Sequence, residues 1–380
     1  MESIAELLDK YRRLDGSERN KENALKQNGV SFHVGLGRSV WMKILGFDLG
    51  KYFEEPETML QAQMSWRLFW HDRIPDDTVI LPDIGIDFGV ALEPSLFGMD
   101  SIFRSNADPW YGDPVINQPS DLSRLKIPDF YSSGLMPRVH HFYEKIRTLV
   151  GDDIPVRFTG WARGPWSVAC MLRGFNALYL DLIDDPHFVE DLLDFIVHSR
   201  IEWEKQRCAF LGIAVDDPDY EWHYVVYRRV ANSELFNDEV DGALFSFETY
   251  RDIIFPAEKA LHDFYGSTRY YHSCGNMTPF LKKVKELDPE LMHISSATDL
   301  SIAHAEFPWR TRFQCCMHPV DEILNADERK MADAISRRMN TAPGRRLELW
   351  ADALYEGGID TFHKVLKWLE TGRNLVDGGC

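Results

Sequence analysis

Residues 268–287 read TRYYHSCGNMTPFLKKVKEL. Thr268 to Tyr271 are strand formers, Gly275 and Asn276 break the strand, and Thr278-Pro279 opens a helical pattern. His272 and Cys274 therefore stand two residues apart in a strand-to-helix turn, the place where parallel barrels keep their chemistry. An imidazole and a thiolate at that spacing can supply two ligands to zinc, but a zinc site needs three or four protein donors. A histidine bonded to backbone beside a cysteine packed as a small hydrophobe explains the pair as well. The surrounding sequence has to decide.

Working outward, short β-rich runs alternate with longer amphipathic ones. The strand-like runs are VSFHVGLG (30–37), TVILPD (78–83), IPVRFTGW (154–161), RRVANSELF (228–236), TRYYH (268–272), ELMHISS (290–296), TRFQCC (311–316) and RLELWAD (346–352). Between them lie helical stretches such as HFVEDLLDFIVHSRIEWEKQ (187–206) and TFHKVLKWLE (361–370). This βαβα order predicts a parallel sheet, and eight runs favour an α/β fold of the (β/α)8 TIM-barrel type. No linker or repeat interrupts the chain, so residues 1–380 are expected to form one barrel domain, with a helical extension over about residues 1–28. No GxGxxG or Walker loop is present to cradle a nucleotide.

Composition narrows the partners. Forty-two Lys and Arg against sixty Asp and Glu leave a net charge of −18, which argues against nucleic acid and anionic membrane surfaces. The N-terminus is charged, no apolar run of 18 residues occurs, and a cytoplasmic location is expected. Cys170, Cys208, Cys274, Cys315, Cys316 and Cys380 form no spaced disulfide framework, which fits a reducing compartment.

Polar residues gather where the strand-like runs end: Asp83 and Asp87, Arg163, Glu234, Asn237-Asp238-Glu239, His272 and Cys274, Ser295-Ser296, Cys315-Cys316 with His318, and Asp352. In a barrel these converge on one mouth. Taken singly, each is explained equally by helix capping. Glu234, Asp238 and Glu239 are the candidate catalytic residues, with Asp238 or Glu239 placed to act as general acid or to orient a metal ligand. Trp41, Asp83 and Trp161 are candidates to contact substrate, although core packing accounts for such tryptophans just as often.

The segment HSCGNMTPFLKKV resembles the H-x-C-G-N-x-T-P-(I/L)-L stretch of cobamide-dependent methyltransferases in the uroporphyrinogen decarboxylase superfamily, where the His and Cys bind zinc. GPWSVACMLRGFNALYLDLIDDPHFVEDLLDFI and NDEVDGALFSFETYRDIIFPAEKAL are similar to further family segments, so the likeness covers most of the chain. The resemblance implies zinc at His272 and Cys274, and a methyl group moved between a corrinoid protein, which brings the cobamide, and a small methyl ether or thiol. A homodimer is left open. The alternative within the superfamily is a metal-independent decarboxylase of a pyrrolic or aromatic acid.

Two departures matter. The decarboxylases' arginine-rich N-terminal signature is missing: its nearest counterpart, GLGRSVWMKILGF, offers Arg38 and Lys43 only. The methyltransferases' third zinc ligand, a cysteine in a C-terminal Gly-rich loop, is missing too, since that region reads LELWADALYEGGID. The third donor is then expected from Cys316, Cys315, Asp352 or Glu356, with Cys316 preferred because thiolate outcompetes carboxylate for zinc.

Overall fold

The computed structural model describes residues 2–14, 16–25, 29–217, 221–223, 229–231, 233–354 and 357–377. Among these residues the frame is carried by β1 (Val30–Leu36), β2 (Ile84–Gly85), β3 (Val156–Arg157), β4 (Glu234–Phe236), β5 (Tyr270–His272), β6 (Leu291–Ile294), β7 (Arg312–Cys316) and β8 (Leu347–Leu354). Six of them are laddered in the order β1-β8-β7-β6-β5-β4, every pair parallel. β2 and β3 form a separate parallel pair. Parallel neighbours require crossovers, which here are helical. The helices around this frame include α1 (Ile4–Tyr11), α2 (Glu18–Leu25), α3 (Arg38–Leu45), α4 (Pro56–Arg73), α5 (Pro165–Arg173), α6 (Pro186–Leu211), α7 (Phe255–Tyr265) and α8 (Ile359–Asp377). This is an α/β fold with a helical N-terminal region and a central, mostly parallel sheet, in the manner of a distorted barrel.

The helical extension is stitched to the frame by polar contacts. Ser3 and Glu6 close a capping box at the start of α1. At its other end the Tyr11 hydroxyl donates to the Asp83 carbonyl (2.7 Å), and Arg67 of α4 donates both to that carbonyl and to the Tyr11 oxygen. α8 packs against β1 through Phe32 and Trp368, edge to face with ring centroids 5.5 Å apart. Both rings are fully buried.

The frame departs from the sequence expectation at three places. TVILPD forms no strand, and the pairing starts at Ile84 instead. Pro82 has no N–H to give a ladder, and the neighbouring edge of β1 is satisfied by side chains. Phe32 N–H donates to Asp77 Oδ2 (2.8 Å), Val34 N–H to Asp76 Oδ2 (3.3 Å), and Asp77 N–H returns a bond to the Phe32 carbonyl (2.8 Å). Arg373 and Arg19 pair with these two carboxylates at 2.7 and 2.6 Å. RRVANSELF divides into a strand Arg229–Ala231, antiparallel to Glu221–His223, and β4. FLKKVKEL gives only a short helix, Leu281–Val284, and a 310 turn, Lys285–Leu287.

Candidate metal centre

β4 and β5 run in register, with Phe236 opposite His272, so the turns that leave them are neighbours. Asn237 N–H donates to the His272 carbonyl (2.9 Å). Ser273 Oγ donates to the Val240 carbonyl (2.8 Å) and accepts from Gly275 N–H (3.1 Å). A Cβ on Gly275 would lie 2.5 Å from the Val240 oxygen, so only glycine lets the two turns close on each other. The residues between and after His272 and Cys274 are thus fasteners that hold one turn against the other.

The approach brings Asp238, His272 and Cys274 together, with one donor atom of each within 4.8 Å of the other two. Asp238 Oδ1 and His272 Nδ1 stand 2.6 Å apart, both buried and without the alignment of a hydrogen bond. The other Asp238 oxygen accepts from Arg163 (2.5 Å). Burial opposes ionisation of Asp238, but the adjoining His272 ring and the Arg163 guanidinium outweigh it and hold the carboxyl below its ordinary range. Cys274 is exposed as a residue, but lost hydration in the cavity wall pushes its thiol well up, and the neighbouring Asp238, Cys316 and Asp352 push it further. A carboxylate and an imidazole that meet without hydrogen-bond alignment, with a thiol beside them, present three donor atoms that a cation could join. An oxygen, nitrogen and sulfur set suits zinc.

The cluster lies in the wall of a cavity of about 900 Å³. Of the polar strand ends, Arg163, Asp238, His272, Cys274, Ser295, Ser296, Cys316, His318 and Asp352 line it, together with Arg38, Lys43, Trp110, Phe236 and Tyr270. The remaining candidates lie elsewhere. Trp41 and Trp161 are in the apolar core, Cys315 is buried among hydrophobic residues, and Asp83 is buried 3.7 Å from Arg157. Asp87 is paired with Arg38, Glu234 is fully buried on β4, and the Glu239 carboxylate accepts from Ser167 of α5. Cys316 faces His293, Sγ to Nε2 3.2 Å, and is not among the three donors that meet. Glu356 lies outside the described residues.

Three residues at or behind the site were not singled out from sequence. His293 on β6 lies with its ring 4.0 Å from that of His272, and its Nδ1 is 2.7 Å from the Ser273 carbonyl. That oxygen only accepts, so Nδ1 carries the proton and Nε2 faces Cys316. The alternation in ELMHISS puts His293 and Ser295 on one face, a signal that could have found it. Glu93 accepts from the N–H groups of Ala162 and Arg163 (3.0 Å each), holding the Arg163 turn from behind. Glu258 is the third, and neither it nor Glu93 has a local sequence signal.

Residues 40–207, less than half of the chain, match the family model described as uroporphyrinogen decarboxylase (URO-D). No curated protein matches the sequence. Among solved structures, a methyltransferase from Methanosarcina mazei is similar in fold, with a TM-score of 0.65 at 15% identity over 96% of this chain and 98% of that one. The likeness to uroporphyrinogen decarboxylase in sequence is thus confined to residues 40–207, while the likeness to the archaeal protein is one of fold over nearly the whole chain.

Proposed function

We propose that this chain, on a distorted (β/α)8 frame, moves a methyl group between a corrinoid protein and a small methyl ether or thiol held at Asp238, His272 and Cys274. The observation that carries the reading is an O, N, S donor set meeting in the wall of a cavity large enough for a small molecule. The archaeal protein of similar fold is a methyltransferase, which supports the same reading. Zinc bound at these donors supplies Lewis-acid polarisation of a substrate oxygen or sulfur.

The chain's own residues do the rest. Arg163 keeps Asp238 ionised and aimed. Phe236 stacks on the His272 ring, centroids 4.6 Å apart, and fixes its plane. Val90, Trp110, Tyr270 and Met317 give the cavity an apolar wall that excludes water from the methyl-bearing end of a substrate. A decarboxylase of a polycarboxylate needs cations to spare. Here Arg38 is committed to Asp87 and Asp108 and Arg163 to Asp238, which leaves Lys43 as the one lining Lys or Arg with no ion pair among the described residues.

Metal content and methyl transfer test this together. Protein purified with zinc should carry about one equivalent and should demethylate methylcobalamin with a thiol, or methylate cob(I)alamin from a methyl ether. Asp238→Asn, His272→Ala and Cys274→Ser should each lose more than the roughly 10- to 100-fold typical of removing a supporting partner. Wild type without zinc, or three variants with full occupancy, would sink the reading.

A further inference from the structure

Glu258 lies on α7, fully buried and outside the cavity lining. Its Oε1 accepts from Asn237 Nδ2 (2.5 Å) and the Tyr271 hydroxyl (2.9 Å), and its Oε2 from the Tyr250 hydroxyl (2.6 Å). Asn237 and Tyr271 touch no substrate space, but each directly precedes a donor: Asp238 in one case, His272 in the other. One carboxylate oxygen therefore grips both strand ends from which the oxygen and nitrogen donors leave.

The strands themselves cannot do this alone. β4 and β5 are three residues each, and a ladder that short fixes register better than the angle of the residues beyond it. Asn237 is held from a second side as well. A Cβ on Gly164 would fall 1.9 Å from Asn237 Oδ1, so the amide packs directly on the backbone that follows Arg163, the partner of Asp238. Burying a carboxylate carries a desolvation penalty that an apolar residue at the same place would not. What the carboxylate adds is a common anchor for two donor-bearing turns.

We infer that Glu258 is a positioning residue for the metal centre, setting the separation of Asp238 and His272 through Asn237 and Tyr271. The inference rests on the triad binding metal. Supporting groups of this kind commonly alter metal affinity by about 10- to 100-fold without touching the metal.

Cobalt(II) alone is the probe, titrated into the metal-free full chain at pH 8 and read by its d–d absorption, with far-UV circular dichroism and Tm alongside. Glu258→Gln, which turns an amide N–H toward one of the three donors, should weaken binding about tenfold and alter the d–d bands. Tyr271→Phe should shift both in the same sense by a smaller factor. Asp181→Asn, which severs the ion pair with Arg173 and contacts neither ligand turn, should lower Tm and leave affinity and spectrum as in wild type. Wild-type affinity and spectrum in Glu258→Gln and Tyr271→Phe would overturn the inference while leaving the metal centre standing. A wild type that takes no cobalt would overturn the metal reading itself, and this inference with it. If Glu258→Gln does not fold, Tyr271→Phe decides the matter by the same readout.

Discussion

From β4 to β8 neighbouring strands satisfy each other's backbone groups, whereas along the free side of β1 two aspartate side chains do the same work. The first arrangement is local and uncharged. It holds strand ends in register, so that short turns can be fastened together by Ser273, Gly275 and Asn237 until three donors meet. The second depends on buried carboxylates whose half-buried counter-ions arrive from distant segments, Arg19 in the N-terminal extension and Arg373 near the C-terminus. A ladder tolerates the loss of one side chain because its bonds are made by the backbone. A ladder of carboxylates does not.

Asp77→Ala tests this contrast most severely. It strips the acceptor from Phe32 N–H and leaves the half-buried Arg373 facing the gap, so the loss should reach about 3 kcal/mol, the low end of the range for a fully buried pair. Urea unfolding should show it, and a loss below about 1 kcal/mol would mean that the backbone bond from Asp77 to Phe32 suffices.

The second test uses pH to show that the laddered side has a charge-dependent element of its own. Burial raises Glu258 from 4.5 to about 7, although Tyr250, Tyr271 and Asn237 all donate to it. Because the folded value is the higher one, protonation stabilises the fold fully below about 4.5, and that contribution fades as pH rises through about 7. At 1.36 kcal/mol per unit the change is at most about 3 kcal/mol. Wild type minus Glu258→Gln stability, measured across this range, should fall with pH. A flat difference would place the carboxyl at its ordinary value.

Gly275→Ala carries the smallest effect and sharpens the comparison on the ladder side. The added methyl meets the Val240 carbonyl oxygen, which belongs to backbone and cannot swing away. Overpacking of this kind costs about 1–3 kcal/mol. Thermal unfolding should place the loss near 2 kcal/mol, and a neutral substitution would show that the two turns are not locked.

The same contrast explains what could be read from the chain. β5 to β8 follow runs rich in β-formers with Gly, Asn, Ser or Pro near the exits, and period-two patterning together with breakers locates such strands. His272 and Cys274 were legible because their turn carries both the breaker and the helix start. TVILPD misled because it has strand composition, while its place beside β1 is taken by the side chains of Asp76 and Asp77, just before it in the chain. Asp238 was visible as a polar strand end, but its junction with His272 depends on the β4–β5 register, which no single segment encodes. Glu258 and Glu93 were invisible because a buried acid on a helix differs in no local way from an exposed one.

The carboxylates beside β1 also bear on how this chain behaves in a crowd. A strand edge with unpaired N–H groups is a template for strands of other molecules, and proteins usually blunt it with lysine, proline or an overlying helix. Here the Phe32 and Val34 N–H groups are already taken by Asp77 and Asp76. An incoming strand would have to evict two carboxylates together with their arginine counter-ions. The devices that replace a ladder thus double as a guard against edge-to-edge aggregation.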